Sequence, residues 1–203
     1  MRRAYFDEKE ETSNQIIVYK LNARAIWSFI SLMLVLSGVL LAACSKAGAE
    51  DVNVGVIKNV LELQFNGPDE KFMALIHDPT YTTVVEGYGV NSELDKYVQE
   101  VYGPYFTELY VETFLNTIGL NYPVTAYNSG NKLRLKDAVI EKSKEASNRY
   151  TFSATVGYQK DGEKEKSAEV SGVVLFSTKE KGKIGKFEYV DDNGFSEELT
   201  ANE

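Results

Sequence analysis

Few side chains in this 203-residue chain are of the types that do chemistry, and their spacing limits what they can do. There is one cysteine, Cys44, and one histidine, His77. A lone histidine rules out metal sites built from several imidazoles, and a lone cysteine rules out a disulfide within the chain. Ser92 and several carboxylates accompany His77, but no spacing ties them into a nucleophile, a base and an orienting acid. Beside Asp78 at the end of an expected helix, His77 reads as a capping or surface residue. Asp191-Asp192-Asn193-Gly194 resembles part of a calcium loop, lacks its alternating ligand positions and reads as a turn. Six tyrosines, Tyr81, Tyr88, Tyr97, Tyr102, Tyr105 and Tyr110, fall in or between expected helices. They either line a pocket and offer hydroxyls to a polar ligand or fill the seam between helices and sheet. No residue is assigned a catalytic role, and no cofactor or metal is expected. That leaves Cys44, which follows Ala42 and Ala43 at the end of an apolar run, the small-residue exit of a cleaved signal.

The run itself, Ala25 to Ala43, is 19 residues without a charge. At about 1.5 Å per residue it just matches a hydrocarbon core of roughly 30 Å, so its exit, not its length, separates a signal from a permanent span. Leu41-Ala42-Ala43 before Cys44 resembles the lipobox of bacterial lipoproteins. The residue types suit that chemistry: small side chains let the backbone lie extended in a peptidase cleft, and the thiol is convertible to a diacylglycerol thioether. The resemblance implies cleavage before Cys44 and a lipidated amino-terminal cysteine, whose acyl chains contribute about 0.8 kcal/mol per buried methylene. Lys20 and Arg24 precede the run and keep that end in the cytoplasm. The remainder is then exported and held on the outer leaflet of the cell membrane. Met1 to Tyr19 is long for such a leader and contains four acids; it reads as a cytoplasmic extension or as an early start, with the true start near Val18 or Leu21.

Beyond residue 43 the chain has 17 basic and 26 acidic residues, a formal charge of about −9. That balance disfavours nucleic acid and disfavours lying flat on anionic lipid, so tethering is left to the lipid anchor. The expected organisation is a leader and signal over 1–43, lipidated Cys44 with a short linker over 44–49, one domain over 50–192 and a tail over 193–203. A domain of this length can bury a real core, which must hold it together without disulfides.

Apolar residues at three-to-four spacing predict a helix from about Glu50 to Asn66, with Val54, Ile57, Val60, Leu61 and Phe65 inward. Gly67-Pro68-Asp69-Glu70 breaks it and opens a shorter helix that ends near His77, ahead of Pro79. Residues 81–90 read as a loop. Ser92 and Asp95 match a capping box for a third helix that buries Leu94, Tyr97, Val98 and Val101. After Gly103-Pro104 the helical pattern resumes at Phe106, Leu109, Tyr110 and Phe114 and stops at Gly119. The period then changes to two. A strand over Tyr122–Tyr127 is expected at an edge because of Pro123. Bulged Leu133–Ile140 follows, then Tyr150–Tyr158, an Asp161-Gly162 hairpin, Ala168–Phe176 and Ile184–Tyr189 with a bulge near Gly185.

Helices first and hairpin-linked strands second predict an α+β fold, with helices packed on an antiparallel sheet. That order, over roughly Glu50 to Asp192, resembles the NTF2-like, or cystatin-like, superfamily, in which a curved sheet wraps helices into a cone. The resemblance implies that the stripe from Tyr150 to Tyr158 faces the helices, and that Tyr102, Tyr105, Tyr150, Phe152 and Tyr158 are candidate pocket-lining residues. In some enzymes of the superfamily a buried acid inside the cone moves protons; Glu86 and Asp95 are the nearest candidates here. The expectation is a lipid-anchored binding domain for an unknown protein partner or small ligand. The alternatives are a small hydrolase or isomerase working in the cone, and a structural component of a membrane assembly.

Overall fold

The computed structural model describes residues 51–201, so the apolar run, Leu41-Ala42-Ala43 and Cys44 lie outside the described residues. Within them, helix α1 (Val52–Phe65) begins at Asp51, whose carboxylate accepts from the Asn53 amide at 3.1 Å, and buries Ile57, Val60, Leu61 and Phe65 as their spacing predicts. Asp69 caps helix α2 (Glu70–His77) by accepting from Phe72 N–H at 2.8 Å, and Asp78 before Pro79 ends it. Pro68 therefore sits ahead of the cap, not in the first turn.

Residues 81–90 are not an open loop. After a 3₁₀ turn over Pro79–Tyr81, strands β1 (Thr83–Val85) and β2 (Tyr88–Val90) pair antiparallel around Glu86 and Gly87. Both turn residues have positive φ, 51° and 86°, which a two-residue hairpin of this twist requires and which Gly87 adopts freely. Helix α3 (Ser92–Val101) is capped by Asn91, whose Oδ1 accepts from Leu94 N–H at 2.9 Å, so the cap lies one residue ahead of the Ser92 box. Asn91 also donates to Leu75 O at 2.7 Å and ties the foot of the hairpin to α2.

Helix α4 (Glu108–Phe114) buries Val111 and Phe114 and leaves Leu109 91% exposed, so the inward face is rotated from the expected one. The helix does not stop at Gly119. It widens into a π turn over Leu115–Gly119 and continues as α5 (Asn121–Asn128), where an edge strand was expected. Local β propensity misled there; burial of Tyr122, Pro123 and Ala126 on one helical face won.

The main sheet is antiparallel in the order β3 (Asn131–Lys142), β4 (Arg149–Lys160), β5 (Lys166–Phe176), β6 (Ile184–Asp191). The expected bulges occur: the β3 register shifts between Leu135 and Asp137, and Gly185 is skipped opposite the Leu175–Phe176 step. Tyr150, Phe152, Ala154, Val156 and Tyr158 are all buried, facing the helices with Val170, Val174 and Phe187. The sheet is open, yet both outer strands are occupied at one point. On β3, Gly67 and Leu133 exchange backbone bonds of 3.2 and 2.6 Å and Asn66 accepts from Leu135 N–H at 2.9 Å. On β6, Ile184 bonds to Tyr105 and Thr107, and the Tyr110 hydroxyl both donates to Phe187 O and accepts from Phe187 N–H, each at 3.0 Å.

Residues 193–203, expected as a tail, contain helix α6 (Phe195–Thr200), which buries Phe195 and Leu199. Asp192 organises it. Burial pushes the Asp192 carboxyl up, but bonds from Ser196, Tyr122 and Gly194 outweigh that and hold it below the usual range.

Candidate binding clefts

Aromatic rings pack the space between the Tyr150–Tyr158 stripe and the helices. Phe114 packs on Phe106 at 4.4 Å between ring centres and on Phe187 at 5.4 Å, and Phe187 meets Phe152 at 5.2 Å. Tyr122 stacks on Phe195 at 5.3 Å, which in turn meets Tyr158 at 5.1 Å. Tyr150, Phe152 and Tyr158, offered by the sequence as pocket lining, are core residues 0, 3 and 5% exposed.

The hydroxyls of Tyr150, Tyr102 and Tyr189 are committed. Tyr150 donates to Asp51 at 2.6 Å, a bond that lowers the Asp51 pKa. Gln64, itself 1% exposed, donates to Tyr102 at 3.4 Å and accepts from Tyr189 at 3.2 Å. Burial, followed by neighbouring charges, raises the pKa of Tyr102 and of Tyr122, so both hydroxyls stay neutral. Among the described residues no buried side-chain polar atom lacks a partner, and no group of three or more His, Cys, Asp and Glu is placed to hold a metal ion. Glu86 sits at the exposed hairpin turn and Asp95 is exposed on α3, so neither is a buried acid. His77 is exposed and stacks on Tyr127 at 5.2 Å.

Among the described residues, two openings lie on the helical side. One, of about 250 Å³, has Tyr102 and Tyr105 in its wall, the two expected lining residues that do reach a cleft. Phe72 and Tyr97, stacked at 5.0 Å, complete the aromatic wall; Gln64 contributes a polar group, and Glu62 and Asp69 are acidic groups in the lining. The other, of about 340 Å³, is a groove bounded by α2, α3 and the stretch from α4 through the π turn. Ile76, Leu94, Val98, Leu115 and Leu120 make it apolar; Asp95 and Glu112 are its acids. Sequence reading assigned Leu94 and Val98 to the core and missed the groove, because Leu115 and Asn116 reach it from a π turn that no periodicity announces.

Gly119 makes that turn possible: a Cβ there would lie 2.7 Å from Phe114 Cε1 and 3.1 Å from Leu115 Cδ2. Such single π turns inside helical stretches recur at functional sites. Comparison with protein-family models, with curated proteins and with solved structures finds no match for the chain.

Proposed function

We propose that the chain is a bacterial lipoprotein, anchored through Cys44 to the outer leaflet of the cytoplasmic membrane, whose domain is an NTF2-like cone that works by binding a protein partner and not by catalysis. The anchor rests on Leu41-Ala42-Ala43-Cys44 behind an uncharged run of 19 residues. The cone rests on the order of the elements, with helices laid on the inner face of a bulged four-stranded sheet.

The observation that carries binding over catalysis is the packed interior, where, among the described residues, every buried side-chain polar atom is engaged in a hydrogen bond. A protein partner is favoured over a small ligand because the polar cleft, at about 250 Å³, falls below the roughly 300–1,000 Å³ usual for small-molecule sites, and the groove of about 340 Å³, which reaches that range, is an apolar slot without hydroxyls in its lining. The net charge beyond residue 43 argues against nucleic acid as the partner.

Metabolic labelling with palmitate tests the anchor. The wild-type protein is expected to incorporate label and stay with membranes, and Cys44→Ala to lose the label. Labelling that survives Cys44→Ala would remove the lipoprotein reading.

A further inference from the structure

The apolar groove has a rim of one sign. Its floor is Phe72 and Val98, nearly buried, with Ile76, Leu94 and Leu120 half-exposed above them. α2 packs on α3, whereas α4 makes its main contacts with the π turn and β6, so the helices part over this floor. Asp95 on one bank and Glu112 on the other are exposed and form no ion pair among the described residues. Along residues 91–130, which supply both banks, there are five acids and one lysine. The hairpin between α2 and α3 in the sequence carries a single charge, Glu86, and leaves Val84 and Tyr88 each 76% accessible.

We propose that this groove receives a basic amphipathic helix of a partner protein, its apolar residues seated between α3 and the π turn and its Lys or Arg side chains paired with Asp95 and Glu112. The inference rests on the binding reading above and names the partner's chemistry. An open slot between helices fits anchors spaced at i, i+3 or i+4, and i+7 along a docked helix. The acids decide its sign, since like charges across an interface exclude the wrong partner and opposite ones speed encounter. The same acids repel an anionic bilayer.

The test uses the full lipidated chain in phosphatidylcholine nanodiscs, with empty nanodiscs as reference. The probe is a fluorescent peptide with Leu at those spacings and Lys elsewhere, followed by anisotropy, beside a control with Glu in place of Lys. Saturable binding of the Lys peptide is expected, weakening with salt and at least about tenfold in the double variant Asp95→Lys, Glu112→Lys, with the Glu peptide similarly weaker on wild type. Both substitutions are at exposed positions, and an unchanged thermal melt would show that the variant folds. Equal affinity of wild type and variant, equal affinity for the two peptides, or no saturation by about 1 mM peptide would overturn the proposal. Dimers in light scattering that the charge reversal breaks would give the groove to a second copy and overturn it too. Palmitate labelling reads a different residue, so failure of the groove and failure of the anchor are distinguishable.

Discussion

At Gly172 one hydrogen atom keeps two strands and an aromatic ring compatible. The residue pairs with Phe152 on β4 and Tyr189 on β6, and the Phe152 ring lies across it. A Cβ would stand 2.3 Å from Glu188 O and 2.3 Å from Phe152 Cζ, contacts that backbone and a buried ring cannot both yield. Gly172→Ala is therefore expected to destabilise the fold by about 2–3 kcal/mol, read as a lower urea midpoint at unchanged slope. A midpoint within error of wild type would show that β5 and β6 can separate there. None of this was legible in the sequence, where Gly172 is one small residue among Ser171, Val173 and Val174; the crowding depends on a ring that arrives from the strand before.

Among the elements, legibility followed how many residues shared one period. β4 was plain because five alternating positions, Tyr150 to Tyr158, all face the core. α1 was plain for the same reason at helical spacing. α5 was not: in Asn121–Asn128, tyrosine, valine and threonine favour a strand, and only the helices already in place reveal that Tyr122 and Ala126 share a face. The β1–β2 hairpin escaped because three-residue strands carry no period at all. α6 escaped because its six residues offer two anchors, Phe195 and Leu199, too few to distinguish a helix from a tail. Those two anchors nevertheless matter. Ending the chain after Asp192 exposes what they cover and removes about 3–6 kcal/mol at 1.5–3 kcal/mol per buried side chain. The expected result is a large drop in melting temperature for the truncated protein, and an unchanged one would return residues 193–203 to the status of a tail.

Across the whole domain the net charge is uneven. Residues 51–130 carry eleven acids and three lysines, whereas residues 131–201 carry thirteen acids and thirteen basic residues. The helical half is thus the acidic one, and its groove takes its sign from that half. Alkaline titration addresses the packed interior as a unit. Burial is the largest cause holding Tyr97, Tyr102, Tyr122 and Tyr189 above their ordinary 10.0, and burial with the Glu198 carboxylate raises Tyr158 to about 12. The folded state keeps these phenols protonated while the unfolded chain releases their protons near 10.0. Their stabilising effect is complete below that pH and is lost as the pH rises beyond it. Tyrosinate absorbance of this buried set is expected to rise together with loss of far-ultraviolet circular dichroism. Full ionisation near pH 10 with an intact spectrum would contradict the packing described.

The occupied sheet edges have a consequence for the order in which the protein comes into being. Asn66 and Gly67, which bond the outer side of β3 near its start, and Tyr105, Thr107 and Tyr110, which bond that of β6 near its start, all precede the first residue of the sheet. A chain delivered amino terminus first, from a ribosome or through a translocon, therefore presents these partners before the strands they bond, and the start of each outermost strand finds its partner already made in its own chain.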